Sequence, residues 1–139
     1  MLCKQRWCAR WRFEYETHLE QLHAHYGFSE VIVGSNTRDP QGRRKGIDAH
    51  AKGWADRMGI DTTVMDANWL GHGRSGGPRR TTRMLRYLGL LCTHIQPQPG
   101  LVIAFPGGAG TAELCAQAER FAVPVLRYPA LPSDLGAPA

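Results

Sequence analysis

A glycine-rich loop, PGGAGT over residues 106–111, holds the residue types best suited to bind a small anion. Its glycines allow the backbone to approach a ligand closely. An apolar run over 101–105, typical of a buried parallel strand, precedes the loop, and a helix predicted over 112–121 follows it. Because the first turn of a helix has unpaired N–H groups, this arrangement predicts an anion site, most often one for phosphate. A tight structural turn is the alternative interpretation.

Four residues of this loop are the first candidates for contacts with a phosphate. We expect Gly107, Gly108 and Gly110 to donate their backbone N–H groups to it. We expect Thr111 to contribute its hydroxyl and to cap the helix that follows.

A second group of candidates stands at the start of the helix predicted over 79–91, with Pro78 in its first turn. Its members, Arg79, Arg80 and Arg83, are cations at the end of the helix where the dipole disfavours positive charge. An anionic ligand bound there would offset this disadvantage. The alternative is that the three side chains extend into water.

Two further loops follow predicted strands and contain glycine. The first begins with Gly34 and Ser35 and continues into a basic stretch, whose cations are Arg38, Arg43, Arg44 and Lys45. These cations either surround a phosphate or solvate a surface loop. The second loop follows Trp69, which either stacks on a base or packs in the core, and its glycine-rich residues 71–78 are expected to be irregular.

Short apolar runs alternate along the chain with helical patterns. The predicted strands are 31–33, 62–65, 101–105 and 123–127, and the predicted helices are 13–26, 46–58, 79–91 and 112–121. This alternation predicts an α/β fold with a doubly wound, mostly parallel sheet in one small domain over 13–128. Residues 1–12 are either a basic arm or a degenerate first strand, and 129–139 form a flexible tail. Ligands of such folds bind beyond the C-terminal strand ends, so the three loops are expected to converge on one pocket.

The net charge of +5 favours an anionic partner, which could be a nucleotide, a nucleic acid or an acidic protein, or it serves solubility alone. No segment is long and apolar enough to span a bilayer, so no membrane partner is expected. His18, His23 and His25 are expected at the surface rather than on a metal ion.

The cysteines do not follow zinc-ligand spacing, and a reduced, cytoplasmic setting is the default expectation. The four cysteines are Cys3, Cys8, Cys92 and Cys115. Of these, Cys92 and Cys115 lie in apolar surroundings and are expected to be buried.

Several of these motifs, in this order, resemble the YspA/YpsA-like branch of the SLOG superfamily, which is related to the LOG phosphoribohydrolases and to DprA/Smf. The segments that carry the resemblance are 104–111, 77–85, 46–48 leading to 54–55, and 67–69 leading to 72–73. It covers about 28–127 and implies a Rossmann-like nucleotide-binding fold. The superfamily includes enzymes that release a base from a nucleoside monophosphate, DNA-processing proteins and sensors of nucleotide-derived signals.

The chain departs from that pattern in two regions. The branch usually begins with an apolar strand and a Gly-Gly-Arg-Asp type loop, of which only Arg10 corresponds here, and the segment 35–46 is longer than usual. The related hydrolases place a catalytic glutamate where this chain has Leu114. Glu113 stands one residue earlier, which turns a helical side chain by about 100°. Those enzymes also follow the arginine with a lysine, whereas Arg83 precedes a methionine.

Three functions follow as expectations. The first is binding of a nucleotide or nucleotide-derived small molecule, as a sensor or a sequestering protein, with no further cofactor and no metal. The second is a nucleoside 5'-monophosphate phosphoribohydrolase with Glu113 as the carboxylate and Arg83 as its partner, or with Asp48 or Asp66 as a substitute carboxylate. The third is nucleic-acid binding through the basic stretch and the basic N-terminus. The basic stretch lacks interleaved aromatic residues, so this function ranks last. A homodimer is the commonest assembly for a domain of this kind.

Overall fold

The structure, a computed structural model, describes residues 9–90, 100–107 and 109–135. Its first element, α1 (Ala9–Tyr26), buries Tyr15, Leu19 and Leu22 along one side and ends before Gly27, whose φ of 67° favours glycine. The helix therefore begins four residues before its predicted start. The predicted arm or first strand was wrong for 9–12, which are helical, and residues 1–8 lie outside the described residues.

The next three elements match their predictions to within a residue. They are β1 (Glu30–Val33), α2 (Gly46–Met58) and β2 (Asp61–Val64). The two strands pair in parallel, with Val33 beside Val64. Gly59 ends α2 in the left-handed conformation, with φ at 73°, and its N–H bonds to carbonyls of the last helical turn. This glycine closes the helix as the sequence predicted.

The glycine-rich stretch 71–78 is more regular than predicted. It contains the end of α3 (Trp69–His72), a short 3-10 helix (Gly73–Ser75) and the start of α4 (Gly76–Leu90). The reason is local, since Asn68 caps α3 by accepting the N–H of Gly71 at 2.8 Å. Proline is also tolerated in the first turn of α4.

The last part of the chain contains β3 (Val102–Ala104), α5 (Ala109–Arg120), β4 (Val125–Arg127) and a 3-10 helix (Pro132–Leu135). The strands are shorter than predicted, and α5 begins three residues earlier than predicted. The tail was predicted over 129–139. The structure describes 129–135 of it, and 136–139 lie outside the described residues.

The four strands of the described residues form two parallel pairs, β1 with β2 and β3 with β4. A small mixed α/β domain is thus confirmed. No hydrogen-bonded ladder joins the two pairs among the residues that the structure describes.

Contacts with α4 give the relative direction of the two pairs. At the C-terminal end of α4, Tyr87 donates to Glu30 at the start of β1 (2.9 Å), and Leu88 packs against Gly100, just before β3. At the other end, Arg80 donates to the carbonyl oxygen of Gly34, just after β1 (2.8 Å). Leu85 packs near Val102. Both β1 and β3 therefore run antiparallel to α4 and point in the same direction.

Two apolar clusters form the core. The first joins α1 and α2 with one face of the strands, and its buried members are Tyr15, Leu19, Ile47, Trp54, Ala55, Ile60 and Phe105. The second joins α4 and α5 through Leu85, Val102 and Ala118. Ile103 packs against the first cluster, whereas Val102 belongs to the second. Since successive side chains of a strand point to opposite faces, β3 is covered by helices on both faces.

His18 is an exception to the predicted surface location of the histidines. It is only 5% exposed, and its ring lies 5.0 Å from that of Tyr128, in an edge-to-face contact. Its Nε2 atom has no hydrogen-bond partner among the described residues. Burial disfavours the charged imidazolium, so the pKa of His18 is lowered from its ordinary value of 6.5.

This lowered pKa makes stability depend on pH in a defined direction. The unfolded chain takes up a proton at His18 before the folded chain does, so the stabilising contribution is complete above pH 6.5. It is lost as the pH falls from that value through the lowered native pKa. We expect the urea midpoint to decrease between about pH 7.5 and about pH 5.5, less so in His18→Phe. The exposed His25 offers the control His25→Gln, which should retain the wild-type decrease; an equal decrease in His18→Phe would contradict the assignment.

Candidate anion-binding site

The glycine-rich loop starts from a buried anchor. Phe105 is 4% exposed, and its ring centroid lies 4.6 Å from that of Tyr15 in α1. Pro106 and Gly107 are exposed immediately after it, and Gly110 is exposed in the first turn of α5. Gly108 lies outside the described residues. The loop is therefore fixed to the core at Phe105 and open to solvent at the start of α5, where the first backbone N–H groups of the helix have no intrahelical partner.

Thr111 does not occupy the predicted capping position. It lies inside the first turn of α5, which begins at Ala109, and its hydroxyl oxygen is buried. That oxygen has no hydrogen-bond partner among the residues that the structure describes. A buried hydroxyl without a partner is unusual in a folded protein.

The backbone of Gly34 connects three elements. Its N–H donates to Asp48 Oδ2 in the first turn of α2 (3.2 Å), and its carbonyl oxygen accepts from Arg80 Nη1 in α4 (2.8 Å). A Cβ atom at position 34 would lie 2.8 Å from Arg80 Nη1, so the close approach requires glycine. Gly34 and Arg80, both predicted to contact a ligand, thus bond to the protein itself here, beside the half-buried Ser35.

Arg79 and Arg83 lie one helical turn apart on α4, and both are exposed. Arg83 Nη2 donates to the backbone oxygen of Asp66, just after β2 (2.7 Å), and Arg79 Nε donates to Ser75 Oγ (3.2 Å). A guanidinium has five N–H donors, so each of these bonds leaves donors for a ligand. These bonds also hold the two side chains in place.

Trp69 lies at the first position of α3 and is 58% exposed. Its ring packs over the glycine pair that begins α4: Cβ atoms at Gly76 and Gly77 would each lie 3.2 Å from it. One side of the ring is therefore supported by backbone, and more than half of the side chain stays accessible for stacking.

Glu113 points toward α4 through a buried glutamine that the sequence analysis missed. Gln117 Nε2 donates to Glu113 Oε1 (2.8 Å) and to the Pro78 oxygen (3.1 Å), and its Oε1 accepts from Thr82 (2.7 Å). Gln117 is only 6% exposed. The one signal in the sequence is its spacing of four residues from Glu113, which places both on one helix face. Leu114, by contrast, lines an apolar cavity.

These bonds identify α4 as the element that assembles the site. Its first turns bond to the end of β1 through Arg80, to the end of β2 through Arg83 and to α5 through Pro78 and Thr82. Helix α4 therefore connects the end of β1, the end of β2 and the helix that follows the glycine-rich loop.

The basic stretch 38–45 is an ordered turn held by its own side chains. Asp39 Oδ1 accepts the backbone N–H groups of Gln41 (3.0 Å) and Arg43 (2.9 Å), and its Oδ2 accepts Arg43 Nε (2.8 Å). Arg44 bonds to Asn36 and to the backbone of α2, while Arg38 bonds to the Gly42 oxygen. The backbone N–H of Arg43, followed by its guanidinium, lowers the pKa of Asp39 from 3.8. Three of the four cations are thus used within the turn or against α2.

Comparison of the chain with family models, with curated proteins and with solved structures gives no match. Among the described residues there is no group of three histidine, cysteine or carboxylate side chains placed to hold a metal ion. No helix within the described ranges has the length and apolar character needed to cross a membrane.

Replacing Gln117 with leucine tests the connection between α4 and α5. The change removes the bonds of Gln117 to the Pro78 oxygen, the Thr82 hydroxyl and Glu113. Thr82 keeps its own bond to the Pro78 oxygen (3.1 Å), and we expect a loss of about 1–3 kcal/mol of unfolding free energy for the bonds removed. Urea denaturation measures this loss as a lower midpoint, with Glu119→Ala, on the exposed side of α5, as the control. An unchanged midpoint would show that the network contributes nothing.

Replacing Asp39 with alanine tests the ordered turn. The variant loses the acceptor for two backbone N–H groups, so we expect trypsin to cleave after the exposed Arg43 about tenfold faster in native conditions. Asp39→Asn keeps an oxygen acceptor and should give an intermediate rate. Asp61→Ala, at the exposed start of β2, should leave the rate unchanged. Equal cleavage rates in all four proteins would contradict the role of Asp39.

Proposed function

We propose that the protein binds a nucleotide or a nucleotide-derived small molecule, with a phosphate group at the start of α5. The observation that carries the proposal is the packing of the arginine-bearing helix α4 against α5, the helix that follows the glycine-rich loop. An anion at this position interacts with backbone N–H groups of α5 and with the cations of α4. The domain is proposed to be Rossmann-like, since short parallel strands alternate with helices that cover both faces of β3.

Each proposed contact has a separate support in the structure. The backbone at Gly107 and Gly110 is exposed; the Thr111 hydroxyl oxygen is buried, so it is not among the contacts that the structure supports. Arg79 and Arg83 supply positive charge from one exposed face of α4. Trp69 supplies an aromatic surface for a base. Arg80 and Asp48 hold Gly34 between them and fix the first loop instead of contacting the ligand.

A depletion experiment tests the proposal. The purified protein is mixed with nucleoside monophosphates, cyclic nucleotides and ADP-ribose, removed by filtration, and the remaining compounds are measured by mass spectrometry. We expect one compound to be depleted and to be recovered intact when the protein is denatured. Arg83→Ala should weaken its binding about tenfold, because a charge-assisted contact is lost. Arg120→Ala, at the opposite end of α5, should bind as the wild type does. No depletion of any compound would contradict the proposal.

Hydrolysis of a nucleoside monophosphate is the second candidate, because Glu113 points toward the helix that carries Arg83. The variant Glu113→Gln distinguishes the two functions, since its amide oxygen can still accept from Gln117. A hydrolase would release free base and ribose phosphate and lose turnover in this variant. A binding protein would keep its affinity and release no base.

Nucleic-acid binding has less support than either of these. Three of the four cations of the basic stretch bond to Asp39, to Gly42 or to groups at or near α2, so fewer of their donors are available to a nucleic acid. Binding that falls steeply with salt and ignores nucleotide identity would favour this third function.

A further inference from the structure

The net charge of the protein is concentrated in one segment of the chain. There are 17 basic and 12 acidic side chains, and every acidic one lies before residue 67 or after residue 112. Residues 67–112 contain five arginines and no lysine, whereas the rest of the chain has equal numbers of basic and acidic side chains. The whole excess of +5 therefore comes from this segment.

Four of these five arginines form one exposed surface. Arg79, Arg83 and Arg86 are spaced by four and three residues along α4, so they share one face of the helix over about 10 Å. Arg74 is exposed in the 3-10 helix just before α4. The fifth, Arg80, bonds to the end of β1 instead. We call the surface of Arg74, Arg79, Arg83 and Arg86 the arginine face.

The charges of the arginine face are not balanced within the protein. None of its four side chains pairs with a carboxylate among the residues that the structure describes. Like charges three or four residues apart destabilise a helix, and the helix dipole disfavours cations in the first turn of α4. Contact with an anionic partner would offset both effects.

A small ligand at the start of α4 and α5 leaves part of this face uncovered. Arg86 lies two helical turns beyond Arg79, about 10 Å further along the axis. Arg74 precedes the helix. A partner that covers the whole arginine face therefore carries several negative charges in a row.

An exposed apolar side chain beside the arginine face indicates the class of this partner. Leu70, in α3, is fully exposed, and its neighbour Trp69 packs on the glycines that begin α4. Exposed tryptophan and arginine side chains are the usual anchors of protein interfaces. Nucleic-acid bases stack on aromatic rings rather than on leucine, whereas a protein segment offers both carboxylates and an apolar side chain.

We propose that the arginine face and Leu70 bind an acidic helical segment of a partner protein. Carboxylates spaced by four and three residues on such a helix match the spacing of Arg79, Arg83 and Arg86. Each guanidinium can hold one carboxylate through two parallel hydrogen bonds. An apolar side chain of the same segment packs on Leu70.

Fluorescence anisotropy with designed peptides tests the proposal. The probe is a labelled peptide of about 18 residues with glutamates spaced by three and four along one face and a leucine at one end of that face. Its controls are a scrambled peptide of the same composition and a single-stranded oligonucleotide of the same net charge. At low salt we expect the patterned peptide to bind with a Kd of about 10 µM, about tenfold more tightly than the scrambled one.

Three variants locate the binding surface. Arg86→Glu should weaken binding of the patterned peptide about tenfold, because attraction becomes repulsion. Leu70→Ser should weaken it about fivefold through the lost apolar contact. Lys45→Glu, at the exposed residue before α2, makes the same change of charge elsewhere and should bind as the wild type does. Leu70 is not part of the nucleotide site, so nucleotide depletion by Leu70→Ser should match that by the wild type, which separates this proposal from the proposed function.

Several results would overturn the proposal. No binding of the patterned peptide, equal binding of the scrambled peptide, or equal weakening in Lys45→Glu would show a solvated charge without a specific partner. Tighter binding of the oligonucleotide, weakened by Arg86→Glu, would assign the face to nucleic acid. Should Arg86→Glu fail to fold by circular dichroism, Arg74→Gln, outside α4, replaces it, and unchanged peptide affinity in that variant would also overturn the proposal.

Discussion

The position of α4 determines how the two strand pairs are arranged. Its start bonds to the end of β1 through Arg80, and its last turns contact Glu30 and Gly100 at the beginnings of β1 and β3. No ladder joins the pairs in the described part of the chain, so side-chain contacts of the helices set their relative direction. A hydrogen bond from a charged group such as Arg80 contributes about 1.5–3 kcal/mol, which is more than a typical neutral one.

The bond from Arg80 to the Gly34 oxygen gives this arginine a different role from that of Arg79 and Arg83. Arg80 lies beside Asp48, with the backbone of Gly34 between them, so the pair adds little net charge at that point. Arg79 and Arg83 are spaced by four residues and share the exposed face. Arg79 and Arg83, with the exposed Arg74 just before the helix, therefore supply the positive charge at the start of α4, while Arg80 fixes the loop that follows β1.

The sequence predicted the strands and most of the helices because their apolar spacing is local information. It did not predict the division of the strands into two pairs, since pairing depends on residues far apart in the chain. The burial of His18 has a similar cause, since Phe105 and Tyr128, far from it in the chain, enclose its ring. The arginines were predicted at the start of α4, but their bonds to Gly34 and Asp66 required the folded geometry.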